Sequence, residues 1–319
     1  MSTKLVIADQ IQFERNLADL AKLFEASFGK RISEAFLRWR YLMGPIENLH
    51  PAAWACSDTR IVANYSLGMA SLRTGEGSLE KAGMSMSTMT HPNHRGQGLF
   101  PQLAKSLYSA IQHDGIDTVI GFPNDLSLRT FVDQLDWTLT SEISTLTLSL
   151  SGWIPRTGSP SAGLDWVTDR APKRFVRPDW LEELIHVDRD AESLRWRYQD
   201  SPTNKYKFVF NPDASEVRSY AVFKWYGSSV DIVDLLPESS EDVTLLISAI
   251  ANSVQGVASH LNVWMMPHLR FRTVLHRLGF APSCSTSYFG VRTTGINRSR
   301  SRYRRPDQWF LQMGDSDVF

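Results

Sequence analysis

Residues 91–100 read His-Pro-Asn-His-Arg-Gly-Gln-Gly-Leu-Phe, and this stretch decides the fold that we expect for the chain. It follows residues 82–90, where apolar side chains alternate with small or polar ones as in a β-strand. It precedes an apolar stripe with the spacing of an amphipathic helix, formed by Leu99, Leu103, Leu107 and Ile111. A strand, a glycine-containing loop and a helix start in this order let backbone N–H groups bind an anion, and we expect a phosphate.

Two common phosphate-binding motifs do not fit this loop. A Walker loop would continue with Gly-Lys-Ser or Gly-Lys-Thr, and no such sequence follows. A Rossmann fingerprint would need a third glycine where the chain has Pro101. Proline does suit the first turn of a helix, because its missing N–H has no partner to lose there. The loop therefore predicts phosphate binding in a different geometry.

The segment Arg95-Gly96-Gln97-Gly98-Leu99, after a strand that ends in Thr90-His91-Pro92, resembles motif A of the GNAT N-acetyltransferases. The resemblance implies that acetyl-CoA or another acyl-CoA is the co-substrate. Backbone N–H groups of residues 96–100 would hold its pyrophosphate, and the strand edge at residues 89–91 would pair with its pantetheine amides. The cofactor-binding residues implied in this way are Met89, Thr90, His91, Arg95, Gly96, Gln97, Gly98, Leu99, Phe100 and Asn124.

The residues after the loop continue the resemblance. An amphipathic helix, a short strand at 118–122, a second helix from Asp125 to Gln134 and a strand opening at Trp137 are predicted in turn. This order implies an α/β fold of the α+β kind, with a mixed sheet. Many family members carry a tyrosine general acid in the second helix, and this chain has Val132 at that position.

An internal repeat predicts two domains. Residues 37–41 read Leu-Arg-Trp-Arg-Tyr, and the same pentapeptide recurs at residues 194–198. We expect two tandem GNAT-like domains, of which the second is degenerate because residues 237–242 offer carboxylates and no glycine at the equivalent loop. The predicted division is an acyl-CoA-binding catalytic domain at 1–150, a linker at 151–165, a degenerate domain at 166–295 and a C-terminal tail at 296–319 that docks on the body.

Composition limits the classes of partner. The chain has 319 residues, 42% of them hydrophobic, with 34 Lys+Arg against 34 Asp+Glu. A balanced charge gives no reason to expect nucleic acid as a partner, and no apolar run is long enough for membrane insertion. The two cysteines lack disulfide or metal-ligand spacing, which favours the reducing cytoplasm and predicts no metal site. The oligomeric state is left open.

The C-terminal tail supplies most candidates for the general base. Five arginines crowd residues 298–305, and residues 315–319 contain two aspartates and Phe319. The tail resembles that of tandem-GNAT proteins encoded among surface-polysaccharide genes, and related Eis-type aminoglycoside acetyltransferases use a terminal carboxylate as base. The candidate catalytic residues are Asp317, Asp315, the carboxylate of Phe319 and His91.

We therefore expect an enzyme, namely an acyl-CoA-dependent N-acyltransferase. It would transfer an acyl group, in the first place acetyl, to a primary amine of a small molecule. A nucleotide-linked amino sugar would give the tail arginines a partner. Two alternatives stay open. One is a non-catalytic acyl-CoA-binding or scaffold protein, which the missing tyrosine favours. The other is a Fem-type aminoacyl transferase, which the arginine-rich stretch favours and the intact motif A disfavours.

Overall fold

The chain forms two compact units. The computed structural model describes residues 3–75, 77–153, 164–294 and 298–316. The first unit comprises Met1–Leu72, Glu80–Ser141 and Tyr288–Arg304, and the second comprises Arg73–Leu79, Glu142–Ser287 and Arg305–Phe319. This division differs from the one expected at 1–150 and 166–295, because Tyr288–Arg304 belongs to the first unit and the tail joins the second only from Arg305. The expected linker at 151–165 lies largely outside the described residues.

In the first part of the chain, three helices follow the first strand, and three strands lead to the glycine loop. Their bounds are β1 (Lys4–Ala8), α1 (Gln10–Arg15), α2 (Leu17–Phe28), α3 (Glu34–Leu42), β2 (Ala52–Ser57), β3 (Arg60–Thr74), β4 (Leu79–Thr90), α4 (Leu99–His113), β5 (Thr118–Gly121), α5 (Asp125–Leu135) and β6 (Thr138–Ser149). The apolar stripe predicted for α4 is buried against the sheet, together with Ala104 and Tyr108. The predicted strand–loop–helix order is therefore confirmed.

The second part of the chain repeats this order in shorter form. Its elements are β7 (Val167–Thr168), β8 (Ile185–Val187), α6 (Ala191–Leu194), β9 (Tyr206–Val209), β10 (Tyr220–Tyr226), β11 (Ser229–Leu236), α7 (Ser240–Val254), β12 (His260–Val263), α8 (Phe271–Leu278) and β13 (Ala281–Thr293). The repeated pentapeptide lies in α3 in its first copy. In its second copy it runs from the end of α6 into a π-helical turn at Arg195–Gln199.

Each unit has a mixed sheet. In the first unit, β1, β2 and β3 pair antiparallel, and β4 pairs parallel with β5. In the second, β9, β10 and β11 pair antiparallel, and β11 pairs parallel with β12. The α/β fold with a mixed sheet that the sequence predicted is thus confirmed.

Strands from distant parts of the sequence complete both sheets. The far edge of β5 pairs antiparallel with the end of β13, from Gly290 opposite Gly121 to Thr293 opposite Thr118. The far edge of β12 pairs antiparallel with the end of β6, from His260 opposite Ser149 to Val263 opposite Leu146. The chain therefore passes from one unit to the other within β6 and within β13.

Trp137 lies over the glycine pair that joins β5 to β13. A Cβ atom on Gly121 would come within 3.2 Å of the Trp137 ring, and one on Gly290 within 2.9 Å. The indole is 4% exposed, and its Nε1 donates a hydrogen bond of 3.0 Å to the hydroxyl of Tyr108. Both strands need glycine here because a larger residue would displace the indole.

A buried arginine organises the second unit. Arg189 donates to both oxygens of Asp315 at 2.9 and 2.8 Å and to Asp234 at 3.1 Å. Tyr198 and Tyr220 also donate to Asp234, at 3.2 and 3.1 Å. The tail reaches this interior, since Trp309, Phe310, Leu311 and Gln312 are fully buried. A buried cation stays charged because two carboxylates and these hydroxyls compensate for the lost water.

His186 lies in the same interior and gives the second unit a pH-dependent stability. Its Nδ1 lies 2.9 Å from the carbonyl oxygen of Val187, and its Nε2 is buried without a hydrogen-bond partner among the described residues. Burial, reinforced by the charge of Arg189, lowers the pKa of His186 from 6.5 to about 3. The histidine is therefore neutral in the folded unit near neutral pH.

We expect acid to destabilise the protein through His186. Below about pH 6.5 the unfolded chain binds a proton at this histidine and the folded protein does not. The free energy of unfolding therefore decreases as the pH is lowered, by up to ~1.4 kcal/mol for each pH unit. His186→Gln keeps an amide donor for Val187 but does not titrate, so its free energy of unfolding should depend less on pH. Urea denaturation at several pH values measures this, with His113→Gln on the exposed side of α4 as control. Equal pH dependence in wild type and His186→Gln would contradict it.

Candidate functional site

Two glycines shape the loop between β4 and α4. A short 3-10 helix at Pro92–His94 leads to Gly96 and Gly98, whose φ angles are 76° and 67°. These left-handed conformations are costly for residues with a Cβ. The space outside the loop is open, because a Cβ on Gly96 would meet no atom within 4 Å and one on Gly98 only Gln102 Nε2 at 3.7 Å. The loop therefore leaves its backbone accessible to a ligand.

The N-terminus of α4 opens onto this space. Gly98 caps the helix without a side chain, so no side-chain hydrogen bond satisfies the first turn. Pro101 lies within that turn and has no N–H to satisfy. The free N–H groups, with the positive end of the helix dipole, form a site for an anion. The helix has 15 residues, which is long enough for its aligned peptide dipoles to add up at this end.

The second unit closes the corresponding position. Helix α7 begins at the N-cap Ser239, whose hydroxyl accepts from the N–H of Asp242, and the Asp242 carboxylate accepts from the N–H of Ser239 at 2.8 Å. Ser219 donates a further hydrogen bond to Asp242 at 3.0 Å. Carboxylates and hydroxyls of the protein already occupy the N-terminus of α7, where the first unit offers free N–H groups.

Arg95 and His91 hold the loop in shape. Arg95 donates to the carbonyl oxygens of Thr90 at 3.3 Å and of Ser27 at 3.0 Å, which ties the loop to the end of β4 and to α2. The Nδ1 atom of His91 accepts the N–H of Asn93 at 3.3 Å. In the neutral ring the other nitrogen, Nε2, then carries the proton. This hydrogen bond gives the His91 ring a part in fixing the loop.

Strand β4 continues beyond its pairing with β5. The parallel register ends where Ser85 lies opposite Gly121, which is the last residue of β5. Residues 86–90 of β4 extend past this point, and the N–H of His91 pairs on the other side with the carbonyl of Val62 in β3. The edge that β5 leaves uncovered contains Met89 and Thr90, two of the predicted cofactor-binding residues.

Ser87 distorts this free part of the strand. Its φ angle is 46°, although it is not glycine, so the backbone there is strained. Its carbonyl oxygen accepts a hydrogen bond of 2.8 Å from the amide of Asn64. The Asn64 side chain is 1% exposed and also accepts from Trp54 Nε1 at 3.0 Å. Asn64 therefore holds the strained turn in the strand from the interior of the unit.

A chain of buried hydroxyls lies at the point where β4 and β5 part. Tyr65 donates to Ser85 Oγ at 2.9 Å, and its hydroxyl lies 2.7 Å from that of Tyr108. Burial raises the pKa of both tyrosines well above the usual value. Both hydroxyls are thus engaged inside the unit, and neither lies on α5, the helix that carries Val132. Val132 itself is 40% exposed on α5.

The remaining predicted cofactor residues divide into backbone and side-chain contributions. The ring of Phe100 packs inside the unit, 5.6 Å from Tyr65 and 5.1 Å from Phe131 between ring centres, so only its backbone belongs to the loop. The side chain of Asn124 caps α5 by accepting from the N–H of Ser127 at 3.0 Å. Leu99 is buried, and Gln97 is exposed in the loop.

The structure gives Asp315 an interior role that the sequence did not predict. Its carboxylate is 7% exposed, is bound by Arg189 and accepts the N–H of Gln312 at 2.8 Å. Burial raises its pKa. An amine from solvent has no access to these oxygens, which argues against Asp315 as the base. Asp317 and Phe319, the other candidates in the tail, lie outside the described residues.

The sequence did not indicate Asn64, Ser87 or the tyrosine pair. A polar–apolar alternation predicts a strand but not a left-handed residue within it. The signal that could have been read is the pair Asn64 and Ser66 in an otherwise apolar strand, since buried amides usually bind backbone.

Within the described part of the chain, no group of three His, Cys, Asp or Glu residues could hold a metal ion. Among the same residues, no helix combines the length and the apolar character needed to cross a membrane.

Comparisons with known proteins agree with this geometry. Residues 12–140 match the family model described as acetyltransferase (GNAT) domain. The fold is similar to that of a GCN5-related N-acetyltransferase from Kribbella flavida, with a TM-score of 0.63 and 11% identity over 92% of this chain and 71% of that one. A GCN5-related N-acetyltransferase from Anabaena variabilis gives a TM-score of 0.64 and 13% identity over 92% and 73%. No curated protein sequence matches. The chain thus has the fold of these acetyltransferases, and residues 12–140 match a GNAT domain.

We expect Asn64→Ala to destabilise the protein by about 1–3 kcal/mol, because the indole N–H of Trp54 and the carbonyl of Ser87 would lose their buried partner. Chemical denaturation of the variant and of wild type measures the change. Asn211→Ala is the control, since Asn211 is exposed. If the two variants proved equally stable, the strained strand would not depend on Asn64.

Proposed function

We propose that the protein is an acyl-CoA-dependent N-acyltransferase whose first unit binds the pyrophosphate of acetyl-CoA or another acyl-CoA. The observation that carries the proposal is the uncapped N-terminus of α4, reached through two left-handed glycines and adjoining a strand edge without a partner. The helix start can bind an anion, and the strand edge beside it can bind an extended chain of amides.

The backbone supplies most of the binding in this proposal. N–H groups of residues 96–100 hold the phosphates, and the free edge of β4 at Met89 and Thr90 pairs with pantetheine amides. Arg95 acts by fixing the loop to Ser27 and Thr90. Asn124 acts by capping α5. The co-substrate brings an activated acyl group, and the residues of this chain position it.

The reaction would be direct transfer. The amine nitrogen attacks the thioester carbon, an oxyanion forms, and the C–S bond breaks to give an amide and a thiolate that takes a proton from solvent. A backbone N–H of the β4 edge near Met89 would stabilise the oxyanion, and the strained turn at Ser87 sets its direction. A base must take the proton that the amine loses.

Two of the four predicted bases already have other roles. His91 accepts a loop hydrogen bond, and Asp315 binds Arg189. We therefore propose Asp317 as the base, with the carboxylate of Phe319 as the remaining alternative from the sequence.

The second unit would bind no acyl-CoA. The closed N-terminus of α7 supports this reading, since an incoming pyrophosphate would have to displace the carboxylate of Asp242. The repeated order of elements supports a tandem arrangement with a degenerate second copy. We also propose that the acceptor is a primary amine of a small molecule. The tail suggests a nucleotide-linked amino sugar of surface-polysaccharide synthesis as an example. We propose a cytoplasmic location for the protein.

One observation favours a different function. Val132 stands where the family has its tyrosine acid, and the tyrosines of the described interior are engaged elsewhere. A protein that binds acyl-CoA without transferring the acyl group would not need the acid. Incubation with acetyl-CoA and a panel of polyamines, amino sugars and aminoglycosides separates the two. Release of CoA with an acetylated amine in the mass spectrum supports the transferase, and tight acetyl-CoA binding without turnover of any amine supports the alternative.

Gly98→Glu should weaken acetyl-CoA binding by at least about tenfold, because its carboxylate would face the phosphates at the helix start. Calorimetry measures the affinity, and wild type should bind one acetyl-CoA per chain. Gly115→Glu is a matched control at the other end of α4, where φ is 78° and a Cβ meets nothing within 4 Å. Equal affinities for the Gly98→Glu and Gly115→Glu proteins would refute the binding site.

Asp317→Asn should lower kcat by about tenfold or more for an accepted amine and leave acetyl-CoA affinity unchanged, because only proton removal is affected. The loss should be largest below neutral pH, where hydroxide is scarce. Ser316→Ala, next in the chain but buried in the second unit, is the control for local disturbance. Full activity of Asp317→Asn would remove this residue from the mechanism.

A further inference from the structure

The second unit contains an open cavity of about 1230 Å³, which we call the basic cavity. Residues 170–174, the helical segment at 191–199 and the loop at 210–217 contribute its wall. Pockets for small organic ligands have volumes of roughly 300–1,000 Å³, so the basic cavity has room for one such ligand. The N-terminus of α7 does not contribute to the wall.

The lining of the basic cavity is strongly cationic. Arg170, Lys173, Arg174 and Arg195 line it, and Glu192 is the one carboxylate among its lining residues. Like charges on one wall repel each other and destabilise the folded state unless an anion lies between them. The electrostatics therefore favour a ligand with several negative charges.

Several cations of the second unit outside the basic cavity have a close carboxylate partner. Five of them have a carboxylate oxygen at 2.6–2.9 Å: Arg73 with Asp188, Arg177 with Glu182, Arg189 with Asp315, Arg218 with Glu238, and Lys207 with Asp169. Among the described residues, no carboxylate lies within the 4.0 Å of a salt bridge from Arg170, Lys173 or Arg174. Arg195 reaches Asp200 only at 3.9 Å. Arg170, Lys173 and Arg174 thus form a group of neighbouring cations at the basic cavity without a close carboxylate partner among the described residues.

Hydrogen bonds on both sides fix the segment that carries three of these cations. The N–H of Arg170 donates to Thr168 Oγ1 at 3.3 Å, and that of Ala171 donates to Gln199 Oε1 at 2.9 Å. On the other side, the N–H of Val176 donates to the carbonyl of Val217 at 2.9 Å. The backbone of the segment is therefore held in place before a ligand binds, which lowers the entropy lost on binding.

An apolar part of the wall lies beside the cations. Pro172 and Val217 are buried, and Phe210 is half-buried at the end of β9. Phe210 forms no ring contact with another aromatic residue of the described chain. Its face can therefore stack on a planar ring of a ligand.

We propose that the basic cavity binds a small nucleotide, with its phosphates between Arg170, Lys173 and Arg174 and its base on Phe210. Guanidinium groups bind phosphate oxygens in pairs, and an ammonium adds a point charge. The inference does not depend on the proposed function, because the acyl-CoA site lies in the first unit.

Calorimetry on the full-length protein tests the proposal with two probes, inorganic pyrophosphate and uridine diphosphate, and with uridine as the uncharged comparison. The test variant is Arg170→Ala/Lys173→Ala/Arg174→Ala. Its matched control, Arg60→Ala/Lys81→Ala/Lys205→Ala, loses the same charge at exposed cations outside the cavity. The Gly98→Glu variant is titrated in parallel, so that binding at the helix start of the first unit is recognised.

We expect wild type, the control and Gly98→Glu to bind uridine diphosphate equally, and the test variant to bind it about tenfold or more weakly. Phe210→Ala should weaken binding of uridine diphosphate and leave that of pyrophosphate unchanged, and added salt should weaken both. The proposal is overturned if neither probe saturates wild type, if the control loses as much affinity as the test variant, or if Gly98→Glu alone abolishes binding. Melting temperatures of all variants show whether each is folded, and loss of acetyl-CoA binding in Gly98→Glu reports separately on the proposed function.

Discussion

A short central strand needs hydrogen-bond partners on both sides, and this requirement determines how the chain is divided. All residues of β5 are buried, so each of its backbone groups must be paired. β4 satisfies one edge, and the end of β13 satisfies the other. The same holds for β12, which lies between β11 and the end of β6. Both sheets therefore depend on residues far away in the sequence, and neither unit corresponds to one continuous segment.

The helix starts of the two units show how the same order of elements can lead to different chemistry. Glycines leave the first turn of α4 unsatisfied, whereas Ser239 and Asp242 satisfy that of α7. The energetic difference is modest, because each satisfied N–H contributes only about 1 kcal/mol to stability. A few residues at one turn therefore separate a candidate ligand site from a closed helix end on similar scaffolds.

The sequence predicted what depends on local pattern. The apolar stripe of α4, the glycine loop and the strand before it were all read from residues that are close together. Features that depend on distant partners were not predicted. Asp315 looked like an exposed tail residue because its partner, Arg189, lies 126 positions away. The turn at Ser87 escaped notice because its support, Asn64, is in another strand. Pairing of β5 with β13 left no sign in either strand, since periodicity shows which face is buried but not which strand is adjacent.

The burial of Trp309–Gln312 and Asp315 in the second unit has a consequence for biosynthesis. As the chain leaves the ribosome, the first unit lacks its last strand until residues 290–293 emerge, and the second lacks one of the two carboxylate partners of Arg189 until Asp315 does. Native contacts of such high sequence separation form late and slowly. Exposed strand edges then persist through most of translation, when they are open to misfolding or to chaperones. A chain that stopped before residue 290 would leave both units incomplete, rather than yield one folded domain and one fragment.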